Sequence, residues 1–475
     1  MSGPDRAVVL GAGIAGLAAA AAVSGRFREV IVVDRDVMDP DEQDELEPGS
    51  GAVGRRGTPQ DRHLHVLLAG GQNALEGLFP GVGDELVRRG ALQSDALDHT
   101  VLQVGGHRFR AGASGLTLLS AGRPLIESVL RRRVHALPNV HLVGGRAAVG
   151  LLLDASAQRT AGVVVERDDS GGGTESLPAG LVVVATGSGT RLNDWLEANG
   201  WPPLVLDTVP IDLTYTSRPF RLREGALGPV VSMGSGSTPN RPRGAALGLV
   251  ENGRAMVSLM GVLGDQPPME LPGFLDFAGD VALPEVAEAL RGAETLGPAA
   301  RFRHPVSVRR HFERAQLPEG LLILGDALCT LNPAYGQGMT VAAQQAGLLA
   351  SAGPVPSGAG RWQTRALQRR LARVADAAWK LSRGPDAAFA AGAPRPSPLE
   401  VLFGRYLARL QALAAVDPRA GTAWLRVSSL VDPPRALLET GLVRAVVAGP
   451  ATYDNAFSRE DGNGIQQGWG GRNRP

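Results

Sequence analysis

A glycine-spaced turn set between two apolar runs constrains this chain more than any other feature. Ala7-Val-Val-Leu10 leads into Gly11-Ala12-Gly13-Ile14-Ala15-Gly16, an alanine-rich stretch to Val23, and then "VIVVD" at residues 30 to 34. Short continuous apolar runs read as strands buried on both faces, and the segment between them reads as a helix. The chain therefore opens with a strand–turn–helix–strand unit of a parallel sheet. Gly11 permits the tight turn, Gly16 lets the helix lie close to the strand, and Gly13 leaves the backbone bare where a ligand would approach. A helix opening at Ile14 presents N–H groups that no intrahelical carbonyl satisfies, which favours an anion. Asp34, followed by Arg35, ends the second strand, where a carboxylate accepts hydrogen bonds from a ribose hydroxyl. Turn, strands and acid together mark a dinucleotide site. The apolar stretch from Ala7 to Val23 is short for a membrane span and lacks a basic leader, so a soluble, cytoplasmic protein without a transmembrane segment is expected.

A second motif identifies the dinucleotide. In "LILGDALCTLNPAYGQGM", residues 322 to 339, a buried strand ends at Gly325-Asp326 and a bare loop precedes a helix. NAD and FAD share the first fingerprint, but the ribityl chain of a flavin carries hydroxyls that a second carboxylate can hold. Asp326 is assigned to that chain. The loop through Pro333, Gly336, Gln337, Gly338 and Met339 is assigned to the flavin ring, whose reduced pyrimidine edge is negative and suits a helix start. The competing reading of Asp326 is an N-cap of the next helix.

The texture of the chain divides it. Residues 1–190 and 305–355 form an interrupted FAD-binding unit, because the buried-strand texture of "LVVVATG" at 181–187 returns only at "GLLILGD". Between them, 191–304 read as an inserted antiparallel sheet for substrate. There "DLTYTSR" puts Leu213, Tyr215 and Ser217 on one face, while "RAMVSLMG" sets Ala255, Val257 and Leu259 opposite Met256, Ser258 and Met260. Tyr215, Met256 and Met260 are candidates for a substrate pocket; the alternative is plain core. A small antiparallel meander is expected over 140–143, 149–153 and 163–166, and helices over 65–79 and 124–137. Residues 38–62 read as a surface loop, 356–450 as helical with a stop at Gly384-Pro385, and 451–475 as a flexible tail. The fold class is α/β: a Rossmann-like FAD-binding domain, an inserted antiparallel β-sheet and a helical C-terminal region.

Composition excludes more than it identifies. A formal charge of +1 in 475 residues gives no field for nucleic acid. The one cysteine, Cys329, forms no internal disulfide and reads as a small buried hydrophobe. His63 and His65 form an HxH pair with no third ligand cluster, so no metal is expected. Arg131 to Arg133 read as a solvated helix face.

The fingerprint, Arg123 before a helix, "LVVVATG" and "GDALCTLNPAYGQGM" together resemble the FAD-dependent monooxygenases of the para-hydroxybenzoate hydroxylase-like superfamily. "GRRGTPQDRHLHVLLAGGQNALEGLFPG" and "ATGSGTRLNDWL" resemble actinobacterial polyene epoxidases of polyether-ionophore antibiotic biosynthesis, of the monensin and lasalocid pathway type. This resemblance implies Arg123 beside the flavin phosphates or ring, the backbone of Val149 against the adenine, and Arg62 near the flavin. It implies dioxygen as co-substrate, a flavin hydroperoxide as oxidant, and a large apolar polyketide (a polyene) as substrate. An alkene needs no deprotonation, so the chemistry is flavin-centred and no side-chain base is assigned. The chain departs from the aromatic hydroxylases at Thr186-Gly187, where they carry Asp-Gly, and "GSGTRL" at 187–192 lacks a third fingerprint glycine. Electrons then come from NAD(P)H without a Rossmann unit of its own, or from a separate flavin reductase as partner.

Other readings stay open. A reductase of the geranylgeranyl-reductase type would saturate alkenes with the same motifs, and a hydroxylase would act on another natural product. A tryptophan-type halogenase needs a lysine near the flavin, yet the only lysine is Lys380. A plain NAD dehydrogenase leaves the second motif unexplained. A non-enzymatic flavin scaffold fits every motif quoted.

Overall fold

The computed structural model describes residues 5–38, 55, 57–167, 173–281, 283–352, 355–356, 362–389 and 397–449. The expected tail at 451–475 and the centre of the expected loop at 38–62 lie outside them. The expected α/β architecture is observed. A five-stranded sheet runs in the order Leu321–Ile323, Leu181–Val184, Arg6–Leu10, Glu29–Val33, Val140–Val143, and every neighbouring pair is parallel. Alternate residues of its strands feed two cores. Val9, Val32 and Val183 pack with helices Ile14–Ser24, Arg123–His135 and Gly338–Ala352. Val8, Val182 and Ile323 pack on the other face with Val163 and Val165 of a three-stranded antiparallel meander. Both faces are covered, which is why these strands are apolar without interruption. Each fully buried Val or Leu contributes about 1.5–3 kcal/mol.

Three local expectations are corrected. Residues 140–143 do not belong to the meander, which comprises Ala148–Leu153, Thr160–Glu166 and Thr174–Pro178. They form the edge of the parallel sheet, where Val140 is buried and His141 is exposed, and an edge strand tolerates that polar side. The helix expected from residue 65 begins at Ala69, because Leu68 is extended and Val66–Leu67 pairs with Leu119–Ser120. The helix expected to stop at Gly384-Pro385 runs as Arg365–Ala387 with Pro385 inside it. A proline this close to the end disturbs only the final turn, so Asp386 still projects from a helix.

A nine-stranded, mainly antiparallel sheet carries the inserted segment. Its long strand Leu206–Arg221 pairs with Arg254–Gly261 on one side and Ala300–Arg310 on the other. Register places Tyr215 beside Met260 and Phe302, and Ser217 beside Ser258. The opposite face carries Phe220, Val257 and Leu259 under helices Leu271–Gly279 and Pro284–Leu290. Strand Thr100–Val104 joins the same sheet through Ser232–Ser235. Among the described residues no helix is long and apolar enough to cross a membrane.

Candidate active site

One cavity of about 620 Å3 lies between the two sheets. At the end lined by the fingerprint turn the glycines divide by what constrains them. A Cβ on Gly11, whose φ is +98°, would stand 2.5 Å from the Ala185 carbonyl oxygen, and one on Gly16 would stand 1.7 Å from the Gly11 oxygen. These two glycines are required by the fold. Gly13 differs: a Cβ there meets nothing closer than Arg123 Nη2 at 3.7 Å. The protein leaves that space to whatever enters the cavity, at the start of a helix with no acidic residue in its first turn. Asp34 Oδ2 accepts from Ala12 N at 2.6 Å and Oδ1 accepts from Asp36 N at 2.9 Å. Oδ1, with one donor, keeps a lone pair for a ribose hydroxyl, while Oδ2 also accepts from Arg55 Nη1 at 3.4 Å.

The second motif closes directly on the first. Gly325 has φ +59°, and a Cβ on it would lie 2.9 Å from the Cβ of Ala15 in the fingerprint helix. Its N–H donates to Gln345 Oε1 at 2.7 Å. Asp326 follows on a short 3-10 turn, its backbone carbonyl accepting from Arg310 Nη1 at 3.1 Å. Burial raises the Asp326 carboxyl above the usual range, against the opposing charges of Arg123 and Arg310. Among the described residues no donor reaches that carboxylate. A carboxylate that lines the cavity without a protein donor fits ribityl hydroxyls. The N-cap reading fails in its simple form, since helix Gly338–Ala352 starts well beyond Asp326.

The intervening loop is shaped from outside. Asn332 Oδ1 accepts from Ala334 N at 3.0 Å, and Gly336 closes the Pro333–Tyr335 turn with φ +66°. Asn332 Nδ2 and the Tyr335 hydroxyl both donate to Asp386 Oδ1, at 2.8 and 2.9 Å. Burial lifts the Asp386 carboxyl to about 6. Helix Arg365–Ala387 thus clamps the loop.

Of the residues singled out in sequence, Gly11, Gly13, Ile14, Ala15, Asp34, Arg35, Arg123, Val149, Gly325, Asp326, Pro333, Gly336, Gly338, Met339, Tyr215 and Met260 line this one cavity. Ala12, Gly16, Arg62, Gln337 and Met256 do not. Ala12 and Gly16 shape the turn. Arg62 is exposed at the end of the Pro59–Arg62 turn. Gln337 turns away, donating to Ser428 O at 2.9 Å. Met256 shares the face of Met260 but sits further along the strand, opposite Pro219.

Several residues emerge only in three dimensions. Arg55 donates to Glu127 Oε2 at 2.7 Å and to Asp34 Oδ2 at 3.4 Å. Glu127 is 4 % exposed and also accepts from Arg123 Nε at 2.8 Å. Burial pushes its carboxyl up, but Arg123 and Arg55 together bring it below the usual range. Arg131, expected on a solvated face, is buried one turn further along the same helix, 3.8 Å from Glu127. At the far wall His63 bonds Ser217 among the rings of Tyr215 and Phe302. Burial lowers His63 to about 3 and, with Arg123, His65 to about 4. Cys329 is buried, its thiol pushed up to about 12. Among the described residues no three His, Cys, Asp or Glu side chains cluster as a metal would require.

Comparison with solved structures assigns the architecture. The flavin-dependent brominase Bmp2 superposes with a TM-score of 0.61 at 12 % identity, covering 96 % of this chain and 98 % of that one. The p-nitrophenol 4-monooxygenase PnpA from Pseudomonas putida DLL-E4 gives 0.59 at 15 % identity, covering 92 % and 98 %. This chain shares the fold of those flavin-dependent enzymes. No protein-family model matches it. In sequence it is 32 % identical over 442 residues to Protein Rv3254 of Mycobacterium tuberculosis (strain ATCC 25618 / H37Rv), with 90 % of each chain covered. It belongs to the same family as that protein.

Proposed function

We propose that this protein is an FAD-dependent monooxygenase that epoxidises alkenes of a large apolar polyketide. The observation that carries the reading is the continuity of the cavity, which runs from Gly13 and Asp34 past Asp326 and Gly338 to the wall of Tyr215, Met260 and Phe302. The residues fit the cofactor. Gly13 and the start of helix Ile14–Ser24 would hold the pyrophosphate, Asp34 the ribose and Asp326 the ribityl hydroxyls, with Val149 beside the adenine. The loop from Pro333 to Gly338 would receive the ring. When bound and reduced, FAD supplies an electrophilic oxygen derived from dioxygen.

The chain's own part is to orient and to keep dry. Tyr215, Phe302 and Met260 form a side-chain wall that packs an alkene and excludes water. Lys380, the lysine a tryptophan-type halogenase would need near the flavin, is exposed on helix Arg365–Ala387 and outside the cavity. Electrons come from NAD(P)H or a separate flavin reductase. Thr186 and Gly187 in the cavity wall, where the aromatic hydroxylases have an acid, favour the reductase. The test is to incubate reduced protein with a polyene acid under labelled dioxygen. One labelled oxygen retained per epoxide is the expected result. A saturated product without label would replace this reading with that of an alkene reductase.

A further inference from the structure

Helix Pro398–Ala414 has an apolar stripe that the protein covers over only part of its length. Leu399, Leu402, Phe403, Tyr406, Leu410 and Leu413 recur at helical spacing and so share one face. Leu410 and Leu413 are buried in the core that holds Leu97, Phe109 and Leu118. Tyr406 reaches the edge of that core, where its hydroxyl donates to the Leu437 carbonyl. Toward the start of the helix the same stripe leaves the protein: Phe403 is 39 %, Leu402 64 % and Leu399 78 % exposed. The helix is nevertheless well formed there, since Ser397 and Glu400 cap it reciprocally. An apolar face on a capped helix that runs past its own core marks a contact surface.

The surroundings of this face are basic. A formal charge of +1 for the whole chain hides a segregation, because residues 365–449 carry thirteen arginines and lysines against six acids. On helix Arg365–Ala387, Arg369, Arg373, Lys380 and Arg383 are exposed at helical spacing, and among the described residues no ion pair holds them. Asp376, the acid on that side, is taken by buried Arg309 at 3.0 Å. The Ser397 backbone N–H lowers the Glu400 carboxyl, and the charge of Arg383 adds to it, so the basic face adjoins the apolar stripe. Arg405 and Arg409 are exposed on the second helix itself, along one flank of the stripe.

We propose that this surface docks on an anionic lipid bilayer. The basic face lies over the headgroup phosphates, and Leu399, Leu402 and Phe403 enter the interface. A second copy of the chain would bring two basic rims together, which repel. The basic face keeps one sign of charge over about four turns with no free acid to set a register. That suits a fluid array of headgroups better than one acidic protein. Docking is independent of the chemistry in the cavity, and it would place the protein where an apolar substrate dissolves.

The test is to sediment the FAD-loaded protein with vesicles of phosphatidylcholine alone and with vesicles of equal phosphatidylcholine and phosphatidylglycerol. Binding to the mixed vesicles should be at least about tenfold tighter at about 0.1 M salt, and the difference should vanish near about 1 M. Leu399→Ser with Leu402→Ser should weaken binding to the mixed vesicles about tenfold, by removing apolar area from the interface. Arg369→Gln with Arg373→Gln should weaken it by a similar factor. All four side chains are exposed, so FAD content and thermal unfolding should be unchanged in both variants. No sedimentation with the mixed vesicles, equal binding to both kinds, or binding that survives both pairs of substitutions would overturn the proposal. Light scattering after gel filtration supplies the remaining outcome. A dimer that L399S with L402S turns into a monomer would assign the stripe to a second copy of the chain and overturn the lipid assignment.

Discussion

At the fingerprint end of the cavity, Gly11, Gly16 and Gly325 leave no room for a methyl group against neighbouring backbone or the Ala15 side chain. At the opposite end, the proposed substrate end, Tyr215, Met260 and Phe302 meet through strand register, and His63 reaches Ser217 from another part of the chain. The first region is specified by backbone geometry over a few residues. The second is specified by which side chains the sheet happens to bring opposite one another. Motifs of the first kind are legible at a distance, while those of the second exist only once the chain is folded.

Substitutions at the glycines break the comparison most sharply. Gly16→Ala, which puts a methyl 1.7 Å from the Gly11 oxygen, should cost the apoprotein about 3 kcal/mol in thermal unfolding. Gly13→Ala meets only ordinary contacts, so its apoprotein should unfold within about 0.5 kcal/mol of the unmutated one. Its FAD affinity should nevertheless fall by about 100-fold, because the lost space belongs to the ligand. Asp326→Ala sharpens the point through opposite signs. The folded Asp326 pKa is raised, so its ionised form destabilises the empty fold at neutral pH, and the cost is felt as pH rises past the unfolded value. The variant apoprotein should therefore be more stable at pH 7 than the unmutated one, while FAD affinity drops about 10- to 100-fold.

A smaller effect is expected from pH at the substrate end. His63 titrates at 6.5 when unfolded and at about 3 when folded. Between those values the unfolded chain holds a proton the folded chain refuses, so stability is complete above the first and is lost as pH falls toward the second. Urea midpoints taken from pH 7 down to 5 should fall less steeply for His63→Phe than for the unmutated protein. The smallest effect belongs to Arg62→Ala, whose exposed side chain should change stability by less than about 0.5 kcal/mol and leave FAD affinity unaltered. Arg55→Ala, which removes one of the arginines on buried Glu127 and one donor to Asp34, should weaken FAD binding in the same titration.

The parallel sheet, the fingerprint turn and the Gly325–Gly338 turn were legible because each is constrained locally, by burial on two faces or by a glycine with a forced φ. The edge strand at 140–143 was misplaced because a four-residue run with one polar side carries no sign of its partner. Glu127 left a readable trace, being charged in a helix whose Leu125, Ile126, Val129 and Leu130 are buried. With Arg123 and Arg131 it forms a stripe at four-residue spacing. Asp386 was hidden behind Pro385, which suggested that the helix had already ended. Arg55 stood in the quoted "GRRGTPQDR" stretch beside Arg62, and nothing in the spacing says which arginine turns inward. Ser217 and Ser258 had no local signal, since a serine in an alternating strand is ordinary until the register sets it opposite another.

The central claim is that two turns far apart in sequence close around one flavin dinucleotide. Calorimetric titration of the apoprotein with FAD, ADP-ribose and riboflavin measures it directly. The account predicts one FAD per chain, bound far more tightly than either fragment, with Asp326→Ala weakening FAD and riboflavin but leaving ADP-ribose unchanged. ADP-ribose binding as tightly as FAD, with no response to Asp326→Ala, would mean that the Gly325–Gly338 turn holds no part of the ligand, and would contradict it.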